Sequence, residues 1–102
     1  MWTEITAMDS DYDATEDIPI VSIKLFPGAA NDILIVKNGS DTGPTICKLE
    51  STDGEPRVEY FFGSYWQPYI DFSECTLSAG HSVVIGIDPF YRPFGRYGAD
   101  PA

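Results

Sequence analysis

The sequence predicts an all-β domain, and three observations lead to that prediction. Short segments in which apolar and polar residues alternate recur along the chain. Nine glycines and eight prolines are spread through the 102 residues and interrupt the longer runs. Apolar residues nowhere recur at the helical spacing i, i+3, i+4, i+7 over three turns. We therefore expect a single small antiparallel β-sandwich, immunoglobulin-like or jelly-roll-like, with extended N- and C-terminal arms.

The first three predicted strands span residues 18–26, 33–36 and 45–50. Alternation in the first strand predicts an apolar face formed by Val21, Ile23 and Leu25. The second strand is a continuous apolar run, which is typical of a strand covered on both faces. Asp53 and Gly54 follow the third strand and predict a hairpin turn.

The remaining predicted strands follow that turn. Residues 57–62 alternate and place Val58, Tyr60 and Phe62 on one face. Residues 65–72 are aromatic but contain Pro68, which cannot donate a backbone hydrogen bond. An edge strand or a packed loop is expected there. Residues 82–87 place Val83, Ile85 and Ile87 on one face.

Charge divides the chain into three parts, and its length allows one folded domain. Residues 1–17 contain six acidic residues and no basic residue, so we expect an acidic N-terminal arm. Residues 18–88 contain the predicted strands and form the sandwich domain. Residues 89–102 alternate aromatic residues and arginines with prolines and glycines, which predicts an extended C-terminal arm.

The net charge of −10 excludes a large class of functions. A protein that binds nucleic acid directly needs a basic stripe, and this chain has none. Its first residues lack the basic and apolar regions of a secretory signal, and no apolar stretch approaches the roughly 20 residues that span a bilayer. We expect no nucleic-acid or membrane partner, and synthesis and assembly in the cytoplasm.

Metal and cofactor sites are not expected either. Cys47, Cys75 and the single histidine are too few ligands for structural zinc, and without a secretory signal we expect two buried thiols rather than a disulfide. The series Asp9, Asp11 and Asp13 matches the opening of a calcium loop. However, the glycine and closing-glutamate positions of such a loop hold alanine and isoleucine here.

Catalysis has little support in the sequence. His81 lies between Gly80 and Ser82, and no motif marks a third group that would orient its ring or a donor pair for an oxyanion. Sixteen acids on 102 residues supply carboxylate pairs at random, so such pairs do not indicate glycoside cleavage. We expect a protein that is not an enzyme.

Aromatic residues are concentrated in two segments. Six lie within residues 60–69, more than one strand can bury on a single face, and we expect Trp66 and Tyr69 at a partner-binding surface. The C-terminal arm cannot form a core of its own, yet it is too apolar for a solvated tail. It is expected to lie over its own sandwich or over a neighbouring subunit, and we predict the neighbour. Its predicted anchors are Phe90, Tyr91, Arg92, Phe94, Arg96 and Tyr97.

Two segments carry a resemblance to a known family. Residues 76–85 (TLSAGHSVVI) contain a Leu-x-Ala-Gly turn that opens an apolar strand, as in small viral and immunoglobulin-like sandwiches. Residues 32–38 (DILIVKN) form a strand that runs into Asn-Gly. Together they resemble the head-decoration (cement) proteins of tailed bacteriophages. That resemblance implies a short acidic β-domain whose arms clamp neighbouring major-capsid subunits on the virion surface.

The sequence is therefore compatible with three functions. The first is a non-enzymatic capsid decoration protein that binds capsid subunits or copies of itself, with a homo-oligomer as one possible state. The second is an acidic decoy of the anti-restriction or anti-CRISPR type, whose carboxylates imitate DNA phosphates. The third is a carbohydrate-binding module in which Trp66 and Tyr69 stack against sugar rings.

Overall fold

The computed structural model describes residues 3–7 and 11–88, which form two antiparallel sheets of four strands each. The strands are β1 (Thr3–Ala7), β2 (Tyr12–Asp13), β3 (Ile18–Phe26), β4 (Asp32–Asn38), β5 (Thr45–Ser51), β6 (Arg57–Trp66), β7 (Pro68–Ile70) and β8 (Ser82–Ile87). Sheet A has the order β1-β8-β3-β6, and sheet B has the order β2-β7-β4-β5. The predicted all-β class is confirmed.

One hydrophobic core joins the two sheets. Sheet A contributes Ile20, Ile23, Leu25, Val83, Ile85 and Ile87. Sheet B contributes Leu34, Val36, Cys47, Leu49 and Ile70. Within residues 3–7 and 11–88 the single helical element is the 3-10 turn Phe72–Glu74, and no helix there is long and apolar enough to cross a membrane.

A β-bulge in β3 changes which of its residues face the core. Ile20 pairs with Ile87 and Ser22 pairs with the neighbouring Gly86, so Val21 is an extra residue in β3. The bulge returns Ile20 and Ile23 to the same side of the sheet. Val21, which the alternation placed on the apolar face, is buried but lies outside the core cluster.

The predicted boundary between arm and domain at residue 17 differs from the structure. β1 pairs with β8 along its whole length, and β2 pairs with β7. Both strands therefore belong to the sheets although they lie in the predicted acidic arm. Backbone pairing places both short strands in the sheets, and Tyr12 of β2 also packs against the core. The predicted C-terminal arm, residues 89–102, lies outside the described residues.

Two predicted connections also differ from the structure. The turn at Asp53 and Gly54 joins β5 in sheet B to β6 in sheet A, so it is a crossover and the predicted hairpin was wrong. The segment around Pro68 divides between two strands instead of forming one edge strand or loop. β6 extends to Trp66, and β7 begins after the single residue Gln67 and pairs on both sides.

Gln67 holds this corner through three hydrogen bonds. Its backbone N–H donates to Asn38 Oδ1 at 2.9 Å, and its side-chain amide donates to the Ala14 carbonyl at 2.8 Å. The Gly39 N–H donates to the Gln67 carbonyl at 2.8 Å, from a backbone with a φ of 86° that favours glycine. The chain can therefore change sheets within one residue without leaving its polar backbone groups unpaired.

Asp32 connects two loops at the opposite end of the core. Its carboxylate is 1% exposed and accepts hydrogen bonds from the Gly28 N–H (2.8 Å), the Ser78 N–H (3.0 Å) and the Ser78 hydroxyl (2.6 Å). Burial alone would raise the pKa of Asp32, but these bonds outweigh it and lower the pKa below its ordinary value. A side chain at Gly28 would overlap the Ala79 carbonyl, so the loops approach closely only with glycine there.

Replacing Asp32 should therefore destabilise the fold. Asp32→Asn removes the charge that strengthens these hydrogen bonds and replaces one accepting oxygen with an N–H₂ that must pair with the Ser78 hydroxyl, so we expect a loss of about 1–2 kcal/mol in the free energy of unfolding. Chemical denaturation measures this loss. Asp53→Asn is the matched control, since Asp53 is exposed and pairs with Arg57 at the surface. An equal loss in both variants would contradict the account.

The same site predicts a pH dependence. The pKa of Asp32 is lower in the folded protein than its ordinary value of 3.8, so the folded state is stabilised above that value. That stabilisation is lost as the pH falls from about 4 through the folded-state pKa. Stability of the native chain should therefore decline more steeply below about pH 4 than stability of Asp32→Asn. Parallel curves would contradict this origin of the dependence.

The two cysteines are free thiols in the described residues, as the sequence predicted. Burial, and then the nearby Glu59 carboxylate, raise the pKa of Cys47 to about 12. Burial also raises the pKa of Cys75, which is half-buried. Compared with a thiol at the ordinary value of 9.0, Cys47 has about 1,000-fold less thiolate at pH 8.

Alkylation should therefore separate the two thiols. We expect iodoacetamide at pH 8 to modify Cys75 before Cys47, with Cys47 reacting through transient opening of the fold. Mass spectrometry of digested samples measures both rates, and the denatured chain gives the reference. Fast and equal modification of both residues in the folded protein would show that Cys47 is not enclosed.

Candidate interaction surface

The pairing of β6 with β3 directs the apolar side chains of β6 away from the core. Arg57 lies opposite Leu25 and Glu59 lies opposite Ile23, so these charged residues share the side of sheet A that faces sheet B. Val58 lies opposite Lys24 and therefore points to the outer side. An alternating strand normally buries its apolar residues. The first part of β6 instead directs its apolar residues to the outer side of the sheet.

The exposed side chains form an apolar face on sheet A. We use this name for Phe26, Val58, Tyr60 and Tyr65, which are 41%, 40%, 56% and 38% exposed. The register connects them across the sheet. Tyr60 pairs with Ser22, Phe26 pairs with Ser82, and Tyr65 pairs with Pro19. Large apolar side chains gathered on one solvent-facing sheet are typical of a contact surface.

The outer side of sheet B has a different chemistry. Pro68 and Ile70 are buried on either side of Tyr69, so the Tyr69 ring points outward. Burial raises the pKa of Tyr69, and nearby carboxylates raise it further. Those carboxylates belong to Asp41, Asp71, Asp11 and Asp13. Lys37 lies opposite Tyr69 in β4 and forms an ion pair with Glu74 at 3.0 Å. One face of the domain is therefore apolar and the other carries an acidic cluster.

Trp66 and Tyr69 do not form one surface. The Trp66 ring is half-buried against the core, with its indole N–H enclosed and without a hydrogen-bond partner. Tyr69 points outward from sheet B among carboxylates. The pair therefore does not supply the shared stacking platform that the carbohydrate-binding alternative requires. The other predicted anchors, Phe90, Tyr91, Arg92, Phe94, Arg96 and Tyr97, lie outside the described residues.

Sequence reasoning missed Phe26, Val58 and Tyr60 as surface residues. The alternation of residues 57–62 identifies two rows of side chains, but it does not say which row faces inward. The structure places Arg57 and Glu59 on the inner side. Because β6 is an edge strand of sheet A, those two side chains reach solvent past the sheet edge while lying on the inner side.

The structure places Asp32, Ser78 and His81 close together, but their contacts do not suit nucleophilic catalysis. The Ser78 hydroxyl donates to Asp32, and a His81 ring nitrogen contacts the Ser78 carbonyl at 3.1 Å. The base therefore does not contact the hydroxyl that it would have to activate. Across the described part of the chain, no group of three or more histidine, cysteine or acidic side chains is arranged to hold a metal ion.

Comparison with known proteins adds no further constraint. No protein-family model, curated protein sequence or solved structure matches the chain.

The acidic cluster can be tested through the ionisation of Tyr69. Neutralising two of its carboxylates with the double variant Asp41→Asn/Asp71→Asn should lower the pKa of Tyr69 towards 10.0, because less negative charge then opposes the phenolate. Burial should keep the pKa above that value. NMR titration of the Tyr69 ring measures both effects. No change on neutralisation would show that the carboxylates lie too far away to act.

Proposed function

We propose that this chain is a non-enzymatic structural protein that binds another protein through the apolar face of sheet A. In its most specific form, the proposal is a capsid decoration (cement) protein of a tailed bacteriophage. It would be made in the host cytoplasm and would bind major-capsid subunits on the virion surface through the sandwich and its arms.

The single observation that carries the proposal is the outward direction of Val58 and Tyr60. Shifting β6 by one residue against β3 would move both side chains to the inner side. The observed register instead leaves a tyrosine 56% exposed on a long edge strand. Exposed apolar residues on an edge strand promote aggregation unless a partner covers them. A protein partner that covers Val58 and Tyr60 would account for this register.

The strand order supports the jelly-roll alternative over the immunoglobulin-like one. Adjacent strands in the sheets include the pairs β1–β8, β2–β7, β3–β6 and β4–β5. A long hairpin wrapped around itself gives these pairs, and that wrapping defines the eight-stranded jelly roll. Jelly rolls occur in viral capsid and lectin domains, so the order agrees with a virion component without naming a partner.

Co-sedimentation with empty capsids of tailed phages tests the proposal. Tyr60→Ser removes the most exposed of the four side chains of the apolar face and should weaken capsid binding at least about tenfold, as expected for an interface tyrosine. The fold should remain, because the side chain is largely in solvent. Glu50→Ser is the control, since it changes an exposed strand residue on sheet B.

Three results would contradict the proposal in different ways. Equal binding by the native chain and Tyr60→Ser would exclude the apolar face as the docking surface. An equal loss with Glu50→Ser would point to a general effect of surface substitution. The chain could bind no capsid and yet bind another protein in a way that depends on Tyr60. That result would support a role as an interaction protein and exclude a role as a cement protein.

The acidic cluster favours the acidic decoy as a second candidate. A DNA mimic needs carboxylates spread along one side of a folded body, and Asp11 and Asp13 lie near Asp41 and Asp71 around Tyr69. A basic nuclease included in the same sedimentation series distinguishes the candidates. Retention by the nuclease that falls with Asp41→Asn/Asp71→Asn but not with Tyr60→Ser would favour the decoy.

A further inference from the structure

We infer that the apolar face of sheet A takes a partner surface that places a carboxylate against Lys24. The inference rests on the proposed function and names the chemistry of the partner, which is an acidic side chain with apolar side chains around it. The apolar residues of the face supply contact area, and Lys24 selects the partner.

Lys24 lies among the side chains of the apolar face. It pairs with Val58 of β6 on one side and with Val84 of β8 on the other, so the three side chains form one row across the outer side of the sheet. Phe26 follows two residues later on the same side of β3, and Tyr60 is the diagonal neighbour of Lys24 in β6. Opposite Cβ atoms lie about 5 Å apart and diagonal neighbours about 7–8 Å apart. A partner that covers Phe26, Val58 and Tyr60 therefore also covers Lys24.

The ammonium group of Lys24 has no anionic partner among the described residues. Residues 3–7 and 11–88 contain four lysine and arginine side chains, and two of them form ion pairs with carboxylates. Lys48, the third, is exposed on sheet B, where water solvates it. Lys24 is half-buried and forms no hydrogen bond or ion pair with another residue in that part of the chain.

Covering this face without an acidic group would be unfavourable. A partner that encloses the Lys24 ammonium group removes its water, and burial of a charge is costly unless a hydrogen-bonding group of opposite charge replaces that water. A carboxylate does so through charge-assisted hydrogen bonds. The face therefore selects against partners that are wholly apolar or that place a basic group at this position.

The same cation disfavours a second copy as the occupant. In a two-fold dimer formed by the apolar face, each copy would present the same surface to the other. The two Lys24 side chains would then lie near the symmetry axis and repel each other, and no described carboxylate of either face lies opposite Lys24 to separate them. A different protein that supplies the carboxylate fits the face better.

The net charge of −10 does not prevent an acidic group from binding at this position. The acidic cluster lies on the outer side of sheet B, and packed sheets are about 10 Å apart. That separation exceeds the Debye length of about 8 Å at physiological ionic strength, so salt screens the cluster. Glu59, the acidic residue of β6, lies on the inner side of sheet A. Near the apolar face, Lys24 therefore determines the sign of the local charge.

A random peptide display library tests the inference without the natural partner. Peptides that bind the native chain but not Tyr60→Ser are assigned to the apolar face. We expect these peptides to be enriched in aspartate or glutamate flanked by apolar residues, although the chain as a whole is acidic. Replacing the acidic residue of such a peptide with its amide should weaken binding about tenfold, as expected for a hydrogen bond to a charged group.

Variants of the protein identify the group that the acidic residue contacts. Lys24→Met should weaken peptide binding about tenfold, and combining it with the amide peptide should cause no further loss, because both changes remove the same contact. Lys24→Arg keeps the charge and should restore most of the binding. Lys48→Met is the matched control, since it removes the other lysine that has no ion pair, and it should leave binding unchanged.

Four results would overturn the inference. They are the absence of any peptide that depends on Tyr60, such peptides without acidic enrichment, an added loss when the two changes are combined, and an equal loss with Lys48→Met. The amide peptide leaves the protein unaltered, so its result stands even if Lys24→Met does not fold. Capsid binding that depends on Tyr60 but not on Lys24 would support the proposed function and overturn this inference alone.

Discussion

The pairing of β6 with β3 is the constraint on which the functional surface depends. In this register, Ile23 faces the core beside Glu59, and Lys24 lies on the outer side beside Val58. Because side chains alternate along a strand, a shift of one residue would exchange the two rows of β6 completely. The charged row would then point to solvent and the apolar row would be enclosed. Val58 and Tyr60 belong to the apolar face because the chain adopts the observed register.

The bulge in β3 determines which residues of that strand face the core. Val21 is an extra residue against β8, and it returns Ile20 to the same side of the sheet as Ile23. A second irregularity lies in β6, where the three residues between Tyr60 and Ser64 oppose Val21 alone. Beyond it, Trp66 turns towards the core while Tyr60 points to solvent. One strand therefore contributes both to the core and to the apolar face.

The strands with regular alternation could be predicted from the sequence. The buried row of β8 was recognised, and the core positions of β4 lie within the continuous apolar run. β1 and β2 were missed because they are short and lie in a segment with six acidic residues. Pairing with β8 and β7 places them in the sheets. Trp66, which was expected at a surface, packs against the core, and Tyr60, for which no surface role was predicted, points to solvent. Local pattern identifies rows of side chains, and only the partner strand determines which row is covered.

The cross-strand contacts of β6 test this account most directly. NMR spectroscopy of the native chain should show proton contacts between Tyr60 and Ser22 and between Val58 and Lys24. Those contacts would place the apolar row of β6 on the outer side of sheet A, as the functional argument requires. Contacts of Val58 with Ile23 or Leu25 would show a register shifted by one residue. The apolar row would then face the core, and the apolar face would lose Val58 and Tyr60.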